Sequence, residues 1–111
     1  MVAAKAALDR DRPQEAVDLA DRSLHLHRTT NTFIVRARAL QRLERFAEAA
    51  SSLASATELT PKSAHAWEAS GHLLWTMKRY DDARAAMQHY LDLAPNGESA
   101  AVFRRRMTEP K

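Results

Sequence analysis

The chain has 111 residues, enough for one domain with a modest hydrophobic core. It carries 17 basic and 14 acidic residues, a formal net charge of +3, and no cysteine, which excludes disulfide bonds, thiolate zinc sites and cysteine nucleophiles. No apolar run reaches the roughly 18 residues of a membrane helix, and two glycines are too few for a glycine-rich phosphate loop. We therefore expect a folded protein without membrane insertion, and the absence of cysteine fits a cytoplasmic location.

Apolar residues recur at helical spacing along the whole chain, and the alternating pattern of strands is absent. The sequence therefore predicts an all-α fold. The predicted helices cover residues 2–10, 13–27, 31–43, 46–59, 64–77, 80–93 and 98–108. Ser63 is the expected N-cap of the fifth helix, and the Pro95–Gly97 segment is expected to end the sixth.

Two stretches of the sequence repeat each other at an offset of 34 residues. Aromatic residues match aromatic residues, alanine matches alanine and proline matches proline. The matched pairs are Phe33 with Trp67, Phe46 with Tyr80, Ala49 with Ala83 and Pro61 with Pro95. An incomplete third copy precedes them at an offset of 33. Because no pair of helices can bury its apolar face alone, successive pairs are expected to stack.

These copies resemble the tetratricopeptide repeat, a 34-residue helix pair with the signature W-x2-L-G-x2-Y, A-x3-F, A and P. Trp67, Gly71, Ala83 and Pro95 stand at matching positions, whereas Ser70 replaces the signature leucine. The resemblance implies a right-handed α-α superhelix of about six repeat helices followed by a C-terminal capping helix.

The resemblance also implies a single domain over residues 1–111. Its expected parts are an incomplete repeat at 1–29, repeats at 30–63 and 64–97, and a C-terminal helix at 98–108. We expect Val102 and Phe103 of that last helix to face inward. The incomplete first repeat is expected to leave Val2, Leu8 and neighbouring alanines partly uncovered, which favours a homodimer formed through this end.

In this family the first helices of successive repeats line a concave groove that binds extended peptides or partner helices. Carrying those positions over implies a peptide-binding groove built by the first helices and the last helix. The expected groove residues are Lys5, Leu8, Asp9, Asn31, Ile34, Val35, Arg38, Gln41, Arg42, His65, Glu68, Ala69, His72, Trp75 and Thr76, with Phe103 and Arg106 added by the last helix. The repeat signature does not require Trp75, so this residue is a candidate aromatic anchor.

The expected groove is mainly basic, which predicts an acidic or carboxylate ligand. Arg38 and Arg42 are four residues apart on one helix face and are the expected anchors. One branch of the family clamps the carboxylate of chaperone tails with Lys and Asn, at positions that here hold Ile34, Arg38 and Ala69. Binding of such a tail is therefore not implied.

The predicted function is a non-catalytic protein–protein interaction module with a scaffold or adaptor role. No nucleophile stands beside a base at catalytic spacing. His65 and His72 are about 10 Å apart along one helix, too far to share a metal ion. We accordingly expect no enzyme activity, metal or cofactor.

Two alternatives remain open. In the first, the chain is a segment of a larger enzyme or of a secretion or assembly protein, which it docks or regulates. The basic Arg104–Arg106 run and the excess of basic residues also permit nucleic-acid binding. A salt-dependent affinity for duplex would favour that second alternative.

Overall fold

The structure, a computed structural model, describes residues 2–109, so positions 1, 110 and 111 of the predicted domain lie outside the described residues. Over the described range the chain forms seven α-helices and no β-strand. The helices are α1 Val2–Asp9, α2 Pro13–Leu26, α3 Thr30–Arg42, α4 Phe46–Leu59, α5 Ala64–Thr76, α6 Tyr80–Leu93 and α7 Ala100–Thr108. The predicted all-α architecture is confirmed. None of these described helices has the length and apolar character needed to cross a membrane.

Local side-chain chemistry sets where several helices begin. Pro13 occupies the start of α2, where a missing N–H costs nothing. The Thr29 hydroxyl accepts a hydrogen bond from the Thr32 N–H at 3.3 Å before α3. The Ser63 hydroxyl accepts one from the Ala66 N–H at 3.2 Å before α5, which confirms the predicted N-cap.

The turn inside each helix pair has the same backbone arrangement. Its central residue has a positive φ, which is 59° at Asp11, 58° at Glu44 and 62° at Lys78. The next residue is an arginine in all three turns, and it donates its N–H to a carbonyl five residues earlier. This is the Schellman arrangement, in which glycine usually takes the left-handed position. Here three different non-glycine residues adopt that conformation.

The chain divides into two compact units, residues 1–61 and 62–111. In the first unit α3 contacts α1, α2 and α4. Alanines and two large aliphatic side chains form much of the buried interior there. These residues are Ala4, Ala7, Ala16, Ala20, Ala37, Ala39, Leu40, Ala49, Leu53 and Ala56. Leu8 is only 4% exposed, so the predictions that it is partly uncovered and that it lines a groove are wrong. The side chain of Val2 lies outside the described residues.

In the second unit α5 and α6 form a helix pair, and α7 packs against α6. The buried cluster consists of Ala83, Met87, Tyr90, Ala100 and Phe103, with Val102 packed against it. The prediction that Val102 and Phe103 face inward is therefore confirmed, and the expectation that Phe103 lines the groove is wrong.

Both glycines of the second unit are required by close approach. A Cβ at Gly71 would lie 3.1 Å from the Met87 Cγ and 3.2 Å from the Phe103 Cζ. A Cβ at Gly97 would overlap the Tyr90 hydroxyl. Gly71 thus makes room for α7 as well as for α6, whereas the sequence alone indicated only close packing within the helix pair.

Candidate functional site

The first unit places most of its expected groove residues on an exposed stripe. Lys5, Asn31, Arg38 and Arg42 are exposed, and Gln41 is half-buried. Ile34 and Val35 are only 2% and 5% exposed, so the expectation that they line a groove is wrong. Their burial follows from the packing of α3 against three other helices of its unit, which leaves a narrow face accessible.

Arg42 has a structural role in addition to its predicted binding role. Its Nη1 donates to the Leu8 carbonyl at 2.6 Å and lies 3.7 Å from the Asp11 carboxylate. The last carbonyls of a helix have no partner within the helix, so this contact satisfies the end of α1. The side chain stays 48% exposed, and a guanidinium has five N–H donors. Arg42 therefore keeps donors for a ligand.

Arg36 explains why the repeat signature fails in the first unit. It stands where the signature has leucine, and its side chain bridges two helices. Its Nε donates to the Asp21 carboxylate of α2 at 2.7 Å, and its Nη1 donates to the Ser52 hydroxyl of α4. The departure was visible in the sequence, but the two acceptors were not, because they lie 15 and 16 residues away.

In the second unit a chain of hydrogen bonds joins α5 to α7. The Arg106 Nη1 lies 3.3 Å from the His72 Nδ1, and the His72 Nε2 lies 3.2 Å from the Ser99 hydroxyl. The Ser99 hydroxyl donates to the Glu68 carboxylate at 2.6 Å. The other Glu68 oxygen lies 3.3 Å from the His65 Nδ1. The structure thus brings His65, His72 and Arg106 into one network.

The donors and acceptors of this network fix the state of His72. An arginine side chain can only donate, so the His72 Nδ1 must accept and its proton must lie on Nε2. The Nε2–H then donates to Ser99, whose own proton is directed to Glu68. Burial lowers the pKa of His72 below the ordinary histidine range, and the Arg106 charge lowers that pKa further, while Glu68 raises it.

The order of these contacts differs from that of a hydrolytic triad. In a triad the histidine accepts the serine proton, and its other nitrogen is held by a carboxylate. Here Ser99 gives its proton to Glu68, and the second nitrogen of His72 accepts from Arg106. Ser99 is therefore not activated as a nucleophile by this arrangement.

Trp75, the predicted aromatic anchor, already has several partners. Its ring lies beneath the guanidinium carbons of Arg106 at 5.4 Å and Arg84 at 5.8 Å, distances typical of cation–π contacts. Tyr80 meets it edge-on at 4.8 Å between ring centroids. These contacts hold Trp75 in a half-buried position.

Sequence reasoning missed Ser99 and Arg84 as members of this cluster. It also overlooked a periodic signal that bears on both units. Lys5, Arg38, His72 and Arg106 follow one another at intervals of 33, 34 and 34 residues, so they occupy the same position of successive first helices.

Residues 34–98 match the family model described as Tetratricopeptide repeat. No curated protein sequence matches the chain significantly. Among solved structures, the TPR domain of Arabidopsis OM64 is 24% identical, with a TM-score of 0.86 over 96% of this chain and 88% of that one.

Two further structures show the same likeness. The first TPR domain of Spaghetti (RPAP3), bound to the HSP90 peptide SRMEEVD, is 22% identical, with a TM-score of 0.87 over 95% of this chain and 86% of that one. The Sgt2 TPR domain from Aspergillus fumigatus is 27% identical, with a TM-score of 0.83 over 94% of this chain and 69% of that one. The predicted solenoid fold is confirmed by these matches.

Proposed function

Because the chain belongs to the tetratricopeptide repeat family, we propose that it is a non-catalytic module that binds a peptide segment of another protein as a cytoplasmic scaffold or adaptor. We further propose that the bound segment is acidic. The Spaghetti domain of the same fold binds a peptide with two glutamates and an aspartate. That likeness supports an acidic peptide as the class of ligand. It does not support the same partner, because the positions of the lysine and asparagine clamp hold Ile34, Arg38 and Ala69 in this chain.

The observation that carries the proposal is the charge of the exposed face of α3. This helix contains three arginines and no acidic residue. Arg36 is paired with Asp21. Arg38 and Arg42 are exposed and four residues apart on one face. Guanidinium groups bind carboxylates through two parallel hydrogen bonds, and such charge-assisted bonds are about twice as strong as neutral ones.

The remaining contacts are proposed at the family's groove positions in each unit. The proposed ligand-contacting residues are Lys5, Asn31, Arg38, Gln41 and Arg42 in the first unit, and His65, His72, Trp75 and Arg106 in the second. Arg106 contributes one nitrogen to His72, which leaves further N–H donors for a carboxylate. A homodimer through the first repeat stays a prediction.

The test begins with a displayed library of random peptides selected on the immobilised chain. Enrichment of Asp and Glu is the expected result, whereas enrichment of neutral or basic peptides would contradict an acidic ligand. Binding of a duplex oligonucleotide that weakens steeply with salt, without any selected peptide, would instead favour nucleic-acid binding.

The selected peptide, carrying a fluorescent label, then serves as the probe for charge reversal. Arg38→Glu, at an exposed position of the basic face of α3, is the test variant. We expect Arg38→Glu to weaken binding by about tenfold or more, as the loss of a charge-assisted contact does. The matched control is Arg22→Glu, the same charge change at an exposed position of α2. Equal weakening in both variants would show that the loss of affinity comes from the change in net charge and not from a contact of Arg38.

A further inference from the structure

The imidazole ring of His72, on α5, contacts both ends of one face of α7. The His72 Nε2 lies 3.2 Å from the hydroxyl of Ser99, just before α7, and its Nδ1 lies 3.3 Å from Arg106 in the last turn. Between these two contacts, the Phe103 ring meets the His72 ring at 4.8 Å between centroids. Residues 99, 103 and 106 share one helix face at this spacing. His72 is therefore the central polar contact between α5 and α7.

The start of α7 depends on this contact because its own cap is missing. The Ser99 side chain makes no capping hydrogen bond to α7. Its hydroxyl is used for His72 and Glu68, and its N–H donates to the Tyr90 hydroxyl at 3.3 Å. The side-chain support of the first turn of α7 thus lies on α5 and α6, while the Ala100 N–H donates to the Gly97 carbonyl at 3.1 Å.

Protonation of His72 reverses one of these contacts. Arg106 can only donate, so a proton on the His72 Nδ1 places two donors and two positive charges against each other at 3.3 Å. The bond to Ser99 survives, because Nε2 carries a proton in both states. The contact between His72 and Arg106 is therefore the one that acid removes.

We propose that His72 is a pH-sensitive latch, which in its neutral form holds α7 against α5 and on protonation releases the C-terminal half of α7. Release frees the Arg106 guanidinium and uncovers Trp75. The latch concerns contacts within one unit, so it does not depend on peptide binding.

The charged groups around His72 give the direction of the effect. Glu68 lies on α5, as His72 does, and is linked to His72 through the Ser99 hydroxyl. His65 contacts the other oxygen of the Glu68 carboxylate, and Arg106 contacts His72 from α7. On α6, Arg84 lies over Trp75 and donates to the Glu109 carbonyl at 2.9 Å, a bond that does not involve His72. The Tyr90 hydroxyl accepts from the Ser99 N–H, and its ring meets Phe103.

The net result is a lowered pKa of His72 in the folded chain. The unfolded chain then binds more protons between the two pKa values, so the stabilisation is fully present above about pH 6.5 and declines as the pH falls towards the folded pKa.

Amide hydrogen exchange of the full chain at pH 7.5 and pH 5.5, corrected for the intrinsic pH dependence of exchange, tests the latch. We expect the protection of α7 amides to fall by at least about threefold relative to that of α2 amides, because the opening is local. Equal changes in α2 and α7, or no change in α7, would overturn the proposal.

His72→Gln supplies the decisive variant. Glutamine has a carbonyl that accepts from Arg106 and an amide that donates to Ser99 at every pH. We expect α7 in this variant to keep its protection at pH 5.5, while His25→Gln, at an exposed position of α2, behaves like the wild type. A variant whose α7 still loosens at pH 5.5 would refute the latch.

A measurement on the wild-type chain needs no substitution. Nitrogen-15 spectra of the imidazole at pH 7.5 distinguish the two neutral tautomers. We expect the His72 proton on Nε2, with Nδ1 unprotonated. A proton on Nδ1 at this pH, in either the other tautomer or the cation, contradicts the proposal directly.

Discussion

The first helices of the two complete repeats, α3 and α5, use equivalent positions for different purposes. Ile34 of α3 is buried among apolar residues, whereas Glu68, its counterpart 34 residues later, accepts a hydrogen bond from Ser99. Arg38 is exposed on α3, whereas its counterpart His72 is half-buried; the His72 ring bonds to Arg106 of α7. A repeat thus specifies where a side chain lies within its helix pair, and the neighbouring helix decides what that side chain does.

The two helices therefore carry different ionisable groups at this repeat position. On α3 this position carries Arg38. The equivalent place on α5 carries a histidine that is neutral in its hydrogen-bonded state. We therefore expect the two helices to respond differently to acid. Because their neighbouring helices differ, we also expect different responses to a cavity and to a change in side-chain volume.

The largest expected difference comes from removing Phe103, whose side chain is fully buried between α5, α6 and α7. Truncation of such a residue costs about 3–5 kcal/mol of unfolding free energy, and we expect Phe103→Ala to cost that much in the second unit. The comparable substitution in the first unit is Leu53→Ala, with an expected cost of about 2–5 kcal/mol. Hydrogen exchange at each helix should show α7 losing protection only in Phe103→Ala.

A smaller effect is expected from exchanging the small residues at one repeat position. Gly71→Ala gains about 1 kcal/mol of helix propensity but places a methyl group against Met87 and Phe103. Overpacking of this kind costs about 1–3 kcal/mol, so we expect a net loss near 1 kcal/mol. Ala37→Gly, at the equivalent position of α3, should lose a similar amount. Thermal denaturation checks both variants, and stabilisation by Gly71→Ala would show that α7 yields easily.

The smallest effect should be the same in both units. Asp11, Glu44 and Lys78 hold the left-handed conformation that glycine adopts without steric cost. Replacement of each by glycine should raise the unfolding free energy by about 0.5 kcal/mol, the relief of strain being partly offset by the greater freedom of glycine in the unfolded chain. Chemical denaturation of the three variants should give nearly equal gains. A loss in any one of them would reveal a role for that side chain.

Much of the fold follows from the sequence because it depends on local spacing. The seven helices appear at their predicted positions since apolar residues recur every three to four positions and the repeat doubles that signal. The turns were located without the usual glycine, through the helix ends on either side. Burial of Ile34 and Val35 escaped prediction because it depends on how many helices surround α3, which helical spacing does not specify.

The candidate site was only partly predictable for a related reason. His72, Trp75 and Arg106 were identified individually from repeat positions, but their mutual contacts join residues 27 to 34 positions apart. The direction of each hydrogen bond depends on the three-dimensional partner. Ser99 carries no sequence signal of its importance, because serine before a helix normally indicates a cap.

The short α7 has a consequence for the order in which the chain acquires its structure. It spans nine residues and receives no cap from Ser99, while isolated helices below roughly 12–15 residues are marginal in water. During synthesis or refolding, the α7 segment should therefore become helical only after the α5–α6 pair has formed the surface on which it packs. In a time-resolved experiment α7 should form after α5 and α6, and a protease should cleave it before it cleaves either of those helices.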